Sequence, residues 1–298
     1  MLEYKKCELC QRKCGVDRAV ARGYCRVSDK LFVSRAALHY WEEPIISGER
    51  GSGTIFFAGC SLGCVYCQNK EISRGQSGRE ITTERLAEIM LELEGQGAHN
   101  VNFVTPTHYA PSIIEATKLA REQGLKIPTV YNTSSYDTED TIKALSDTVD
   151  IYLPDLKYYR AETAKKYSFA EDYPIAARLA IDAMVKQKGR AKLGKDGMLK
   201  SGVVVRILLL PGHIAEAKLN VKYLYDTYGD VIYISLMSQY TPPSGMIPPL
   251  NRRVTSGEYY ELCEYAQKLG VKRGFTQEFE SASENFIPRF DNKGVLKS

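Results

Sequence analysis

Residues 53–69 read GTIFFAGCSLGCVYCQN, and the rest of the chain is organised around them. A short apolar run, Thr54 to Ala58, ends in Gly59 and reads as a strand. Three cysteines follow, Cys60, Cys64 and Cys67, in the spacing C-x3-C-x2-C. Three thiolates on one short loop can hold three irons of a cubane cluster and leave the fourth iron open to a ligand. Structural zinc sites normally close with four ligands. The odd number in this loop therefore favours an iron–sulfur cluster that binds something at its free iron. Tyr66, just before the last cysteine, is taken as a contact of that ligand.

Toward the N-terminus lies a second cysteine group, Cys7, Cys10, Cys14 and Cys25. Four thiols in so short a span suit a closed four-coordinate site, with a C-x2-C turn supplying two ligands from one knuckle. Zinc or a rubredoxin-like iron fits, and an auxiliary [4Fe–4S] cluster fits equally. A mononuclear structural metal is favoured, because about 30 residues hold too little apolar content to fold alone. Residues 1–30 are thus read as a metal-binding extension and 31–52 as a linker. Residues 53–270 form the main domain and 271–298 a tail.

The 298 residues suffice for one α/β domain with such an appendage. The formal charge of +4 comes from interleaved acids and bases. No basic face is visible, which argues against a nucleic-acid partner. No apolar stretch approaches membrane-spanning length, and the N-terminus lacks a signal-peptide core. The expectation is a cytoplasmic protein. Thiols stay reduced there, so eight cysteines point to metal rather than disulfides. Seven of the eight lie in the first 67 residues.

After the cysteine loop the pattern alternates. Thr83 is read as a helix N-cap, with Leu86, Ile89, Met90 and Leu93 at helical spacing. Asn102–Thr105, Pro128–Tyr131, Ile151–Leu153, Val203–Leu210 and Val231–Leu236 read as strands. Helical patterns separate them, and a last helix spans Ser256 to Leu269. Strand–helix alternation implies parallel β/α units with right-handed crossovers. Six core strands, where a full TIM barrel has eight, imply a partial (β/α)6 TIM-like barrel, open on one side. In such sheets the functional residues lie at strand ends. The Lys/Gly-rich stretch from Lys186 to Lys200 is read as a solvated excursion, and Cys263 as a core residue of the last helix.

The C-x3-C-x-Tyr-C loop after a first strand resembles the radical S-adenosylmethionine (SAM) superfamily. Within it the chain is similar to an uncharacterised group like the pyruvate formate-lyase activating enzymes. Shared features are the N-terminal cysteines, Glu42-Glu43-Pro44, Thr105-Pro106-Thr107-His108-Tyr109 and Leu153-Pro154-Asp155-Leu156-Lys157. The resemblance implies a [4Fe–4S] cluster on Cys60, Cys64 and Cys67, chelated at its open iron by SAM. Reduction by a partner such as flavodoxin or ferredoxin would cleave SAM to a 5′-deoxyadenosyl radical that abstracts a substrate hydrogen. The family's Gly-Gly-Glu-Pro segment is absent; Thr105 and Thr107 offer oxygens in its place. His108 is a candidate proton donor or SAM contact. Asn132, at the end of strand three, can hydrogen-bond a carboxylate or ribose. Asp155 and Lys157, two apart on an extended chain, point to one face. The resemblance places both in the active site. Arg206 inside an apolar strand needs a partner for its charge; the resemblance makes it a SAM ligand. Gln239 is a candidate adenosine contact.

The substrate expected is a protein or peptide, including a glycyl-radical partner. The same chemistry on a small molecule or RNA is the alternative, and a non-catalytic iron–sulfur or zinc scaffold or electron-transfer module the alternative of another class.

Overall fold

The computed structural model describes residues 2–74, 77–277 and 288–297. The strands are β1 (Leu31–His39), β2 (Ser52–Phe57), β3 (Arg79–Ile81), β4 (Val101–Val104), β5 (Thr129–Thr133), β6 (Ile151–Pro154), β7 (Lys192–Leu193), β8 (Leu199–Leu208), β9 (Tyr233–Met237) and β10 (Gly274–Thr276). The helices are α1 (Pro44–Ser47), α2 (Lys70–Ser73), α3 (Thr83–Gly95), α4 (Ala110–Glu122), α5 (Glu139–Ala144), α6 (Ala161–Ser168), α7 (Tyr173–Lys188), α8 (Ile214–Tyr228) and α9 (Ser256–Leu269).

One sheet runs in the order β10-β9-β8-β6-β5-β4-β2-β1-β3, with β7 beside β8. From β2 to β10 every neighbouring pair on that path is parallel. β1 runs antiparallel to β2 and β3 antiparallel to β1. The six core strands expected from the alternation are β2, β4, β5, β6, β8 and β9, in that spatial order. β10 adds a seventh parallel strand. Its two ends, β10 and β3, do not meet, which leaves a partial barrel. Every residue of β2, β4, β5 and β6 is buried. That is the pattern of parallel strands enclosed on both faces.

Residues 31–52 carry β1, so this stretch is part of the sheet as well as a connection. The C-terminal stretch contributes β10, and the Ala36 amide donates to Lys293 O at 2.9 Å. Lys186 to Lys200 folds as the end of α7 and the β7–β8 hairpin, with Met198 and Leu199 buried. Local chemistry sets the helix starts. The Thr82 hydroxyl, one residue before the expected cap, accepts from the Arg85 amide at 3.2 Å. Such a cap stabilises a helix by about 1 kcal/mol. Thr255 and Glu258 form a reciprocal capping box on α9. Among the described residues no helix is long and apolar enough to cross a membrane.

The N-terminal extension packs against the mouth of the barrel. Cys10 bridges to Asp137, and the Thr141 hydroxyl donates to Leu9 O at 2.8 Å. Arg12 reaches four backbone carbonyls: Ser61 (3.0 Å) and Leu62 (3.2 Å) in the cysteine loop, and Ser168 (2.9 Å) and Phe169 (2.6 Å) at the end of α6. Its guanidinium also lies over the rings of Tyr24 and Tyr136. Gly59 makes the close approach possible. Its φ is +88°, and a Cβ there would lie 2.8 Å from Cys25 O.

Candidate active site

A cleft of about 230 Å³ opens at the C-terminal ends of the parallel strands. Its lining includes Cys64, Tyr66, Cys67, Asn132, Asp155, Lys157, Arg206 and Gln239. The loop after β2 thus meets residues from β5, the ends of β6 and β9, and β8. Arg206 donates from each of its three guanidinium nitrogens. Its Nε donates to Asp155 Oδ1 (2.8 Å), Nη1 to Glu42 Oε2 (3.2 Å) and Nη2 to Asn132 Oδ1 (2.5 Å). Lys157 Nζ donates to Asp155 Oδ2 at 2.6 Å, so the shared face expected of these two is an ion pair.

Glu42 is the residue that sequence reasoning passed over as loop. Its Oε1 accepts from Asn102 Nδ2 (3.1 Å) and Asn132 Nδ2 (3.3 Å). The antiparallel β1 delivers it to the barrel interior, a placement with no local sequence signal beyond two acids before a proline. Glu43 is also buried, and its Oε2 has no hydrogen-bond partner. Burial raises both glutamates above the usual carboxylate range, against the pull of Arg206. Burial pushes Asp155 the same way, but Arg206 and Lys157 outweigh it and hold its carboxyl low. Burial would lower Lys157; Asp155 and Cys64 overcome that and raise it.

Thr105, Thr107 and His108 do not line this cleft. His108 lies behind the cysteine loop, 1% exposed, with Nε2 2.8 Å from Ala58 O. Burial and then the Arg18 charge lower its pKa to about 3, so its ring is neutral. Its carbonyl takes the Arg18 Nη1. Thr107 is buried beside Thr133, whose hydroxyl donates to Asp137 at 2.6 Å. Thr105 holds φ +59°, and its amide donates to Asn132 O at 2.9 Å. The left-handed region costs an L-residue about 1–2 kcal/mol.

The three cysteines of the loop interact with one another electrostatically, and burial raises the Cys60 and Cys67 thiols, the latter to about 12. The Leu62 and Gly63 amides point at Cys60 Sγ, both at 3.4 Å, and Ser168 Oγ donates to Cys64 Sγ at 2.9 Å. Among the described residues no three His, Cys, Asp or Glu side chains gather closely enough for a single metal ion. A cubane spaces its thiolates around a cube, so three converging sulfurs with hydrogen-bond donors beside an open cleft fit a four-iron cluster. The N-terminal thiols also lie near one another, but they are not drawn to one point as the favoured mononuclear site requires. A Cβ on Gly23 would lie 3.2 Å from Cys14 Sγ and 3.8 Å from Cys25 Sγ.

Residues 54–217, more than half of the chain, match the family model of the radical SAM superfamily. An uncharacterised protein of Methanocaldococcus jannaschii is 29% identical over 279 residues, covering 90% of this chain and 76% of its own length. The pyruvate formate-lyase-activating enzyme of Clostridium pasteurianum is 28% identical over 139 residues, 43% of this chain and 57% of that enzyme. Among solved structures, SuiB of Streptococcus suis bound to S-adenosylmethionine superposes with a TM-score of 0.51 at 12% identity over 76% of this chain. The chain spans 50% of SuiB's length, and the likeness is one of fold.

Proposed function

The chain belongs to the radical SAM superfamily, and from that premise we propose that it cleaves SAM reductively and abstracts hydrogen from a protein or peptide. A glycyl-radical partner is the specific substrate class considered. The observation that carries the reading is the meeting in one cleft of the cysteine loop with Asn132, Asp155, Lys157 and Arg206. Cys60, Cys64 and Cys67 would hold the cluster. When bound, the cluster and SAM supply a 5′-deoxyadenosyl radical after one-electron reduction, by a flavodoxin or ferredoxin in this reading.

The residues of the chain supply position and charge. Glu42, Glu43 and Asp155 face Arg206 and Lys157, three carboxylates against two cations. The ionised set is one negative charge in excess. SAM carries a sulfonium and an ammonium against one carboxylate, so its net charge suits that excess. Arg206, Asn132, Asp155 and Lys157 would hold its polar groups, and Tyr66 and Gln239 line the wall of the same cleft. The partial match to an activating enzyme supports the protein substrate. Residues 1–30 are proposed to bind a second metal group through Cys7, Cys10, Cys14 and Cys25, either zinc, a single iron or a further cluster. A cytoplasmic location belongs to the same reading, supported by eight cysteines that suit metal rather than disulfides.

The test is anaerobic reconstitution with iron and sulfide, then dithionite and SAM. The expected product is 5′-deoxyadenosine; none from a protein holding its full iron complement defeats the reading. Deuterium transfer from labelled candidate peptides then identifies the substrate class.

A further inference from the structure

Ser168 closes α6 and is fully buried. Its hydroxyl oxygen lies 2.9 Å from Cys64 Sγ and 2.6 Å from the Tyr158 hydroxyl. Tyr158 in turn lies 2.8 Å from the Tyr66 hydroxyl. Tyr66 and Cys64 both line the cleft. A row of three hydroxyls therefore starts in the cleft wall and ends on one sulfur of the cysteine loop. The end of α6 is strapped to that loop by backbone as well. The Val65 amide donates to Tyr167 O at 2.9 Å, and Arg12 holds the carbonyls of Ser168, Phe169, Ser61 and Leu62 together. The Ser168 hydroxyl is thus fixed in place relative to the cysteines.

We propose that Ser168 is a positioning residue that sets the reduction potential of the cluster, through a hydrogen bond to Cys64 strengthened by Tyr158. The proposal rests on the radical SAM reading above. A metal-bound thiolate only accepts hydrogen bonds, so the single Ser168 proton points at the sulfur. The serine oxygen is then left to accept from Tyr158, whose one proton is shared between Ser168 (2.6 Å) and Tyr66 (2.8 Å). A donor at a cluster sulfur draws electron density from it and favours the more negative, reduced state. In a buried, low-dielectric setting the Tyr158 bond polarises the Ser168 hydroxyl. The electron for reduction comes from the external reductant; the row moves no proton and forms no bond.

The test is an EPR-monitored redox titration of the reconstituted full-length protein. The signal followed is the one that changes when SAM is added, which separates this cluster from any N-terminal metal. Ser168→Ala is expected to lower the midpoint potential most and Tyr158→Phe less, with Ser168→Thr near the wild type. Ser168→Ala and Tyr158→Phe titrating with the wild-type potential would overturn the proposal. If Ser168→Ala fails to hold its cluster, Tyr158→Phe carries the test, since it leaves the serine in place. A wild type with no SAM-responsive cluster defeats the functional reading instead.

Discussion

Cys7, Cys10 and Cys25 are buried in the N-terminal extension, and Cys14 is half-buried there; Cys64 and Cys67 face a cleft whose lining includes the acids Glu42 and Asp155 and the bases Lys157 and Arg206. Both groups offer thiols of one chemistry, and burial raises thiols in each. The difference is what stands opposite. Around the N-terminal group the neighbours are backbone, aromatic rings and the buried Arg18, whose charge acts on Cys25; among the described residues no carboxylate and amide set of the cleft's kind stands beside it. Around the loop the neighbours are Asn132, Asp155, Lys157 and Arg206, which suit a group with an open coordination position. Function here follows from the surroundings of the sulfurs more than from their number.

The strongest way to break this comparison is a pair of alanines. Cys60→Ala should abolish SAM cleavage and the SAM-responsive EPR signal. Cys7→Ala should lower thermal stability while leaving cleavage per cluster within a few-fold of the wild type. Equal loss of cleavage in both would mean that the N-terminal group takes part in the chemistry. Next in size is Arg206→Met. It leaves the buried Glu42 without its cation, while Asp155 keeps Lys157, a loss of about 3–5 kcal/mol in denaturant unfolding. SAM binding by calorimetry should fall with it, whereas an equivalent substitution at Arg22 in the extension should change neither.

Gly59→Ala acts at the junction of the two regions. The positive φ and the contact with Cys25 O predict a loss of about 2–4 kcal/mol. Cluster incorporation, measured as iron per chain, should drop even though no ligand has changed. The last test concerns pH. His108 pins Ala58 on one side and receives Arg18 on the other. Its folded pKa, near 3, lies below the ordinary value of 6.5. As pH falls through 6.5 the unfolded chain takes the proton first, so stability declines from there toward pH 3. The slope from this one group is about 1.4 kcal/mol per unit. Urea midpoints of His108→Gln should show a shallower decline over that window.

The sheet was legible because parallel β/α units print their period in the chain: apolar runs at β4, β5, β6 and β8, each followed by a helical pattern. β10 was not, because Gly274-Phe275-Thr276 is too short to carry a period. At the site, Asp155, Lys157 and Asn132 were readable from strand ends, and Arg206 from its charge inside an apolar strand. Glu42 was not, because an antiparallel strand that precedes the barrel brings it across the sheet to a residue 164 positions later. Ser168 was missed for the same reason; a serine at a helix end says nothing of a cysteine 104 positions earlier. The turn after β4 misled in the other direction. Strand-end position suggested Thr105, Thr107 and His108, but the left-handed Thr105 redirects the chain, Thr107 meets Thr133, and His108 supports the loop from behind.

The guanidinium of Arg12 carries a consequence for motion. It holds carbonyls from two segments that are a hundred residues apart, and it belongs to a third. None of the three can open to solvent without breaking its bonds. Amides in the N-terminal knuckle, the cysteine loop and the end of α6 should therefore exchange with deuterium at one common opening free energy, as a single cooperative unit. Removing the first 30 residues would then do more than delete an appendage: it would convert the cysteine loop from part of that unit into a fluctuating strand–helix connection.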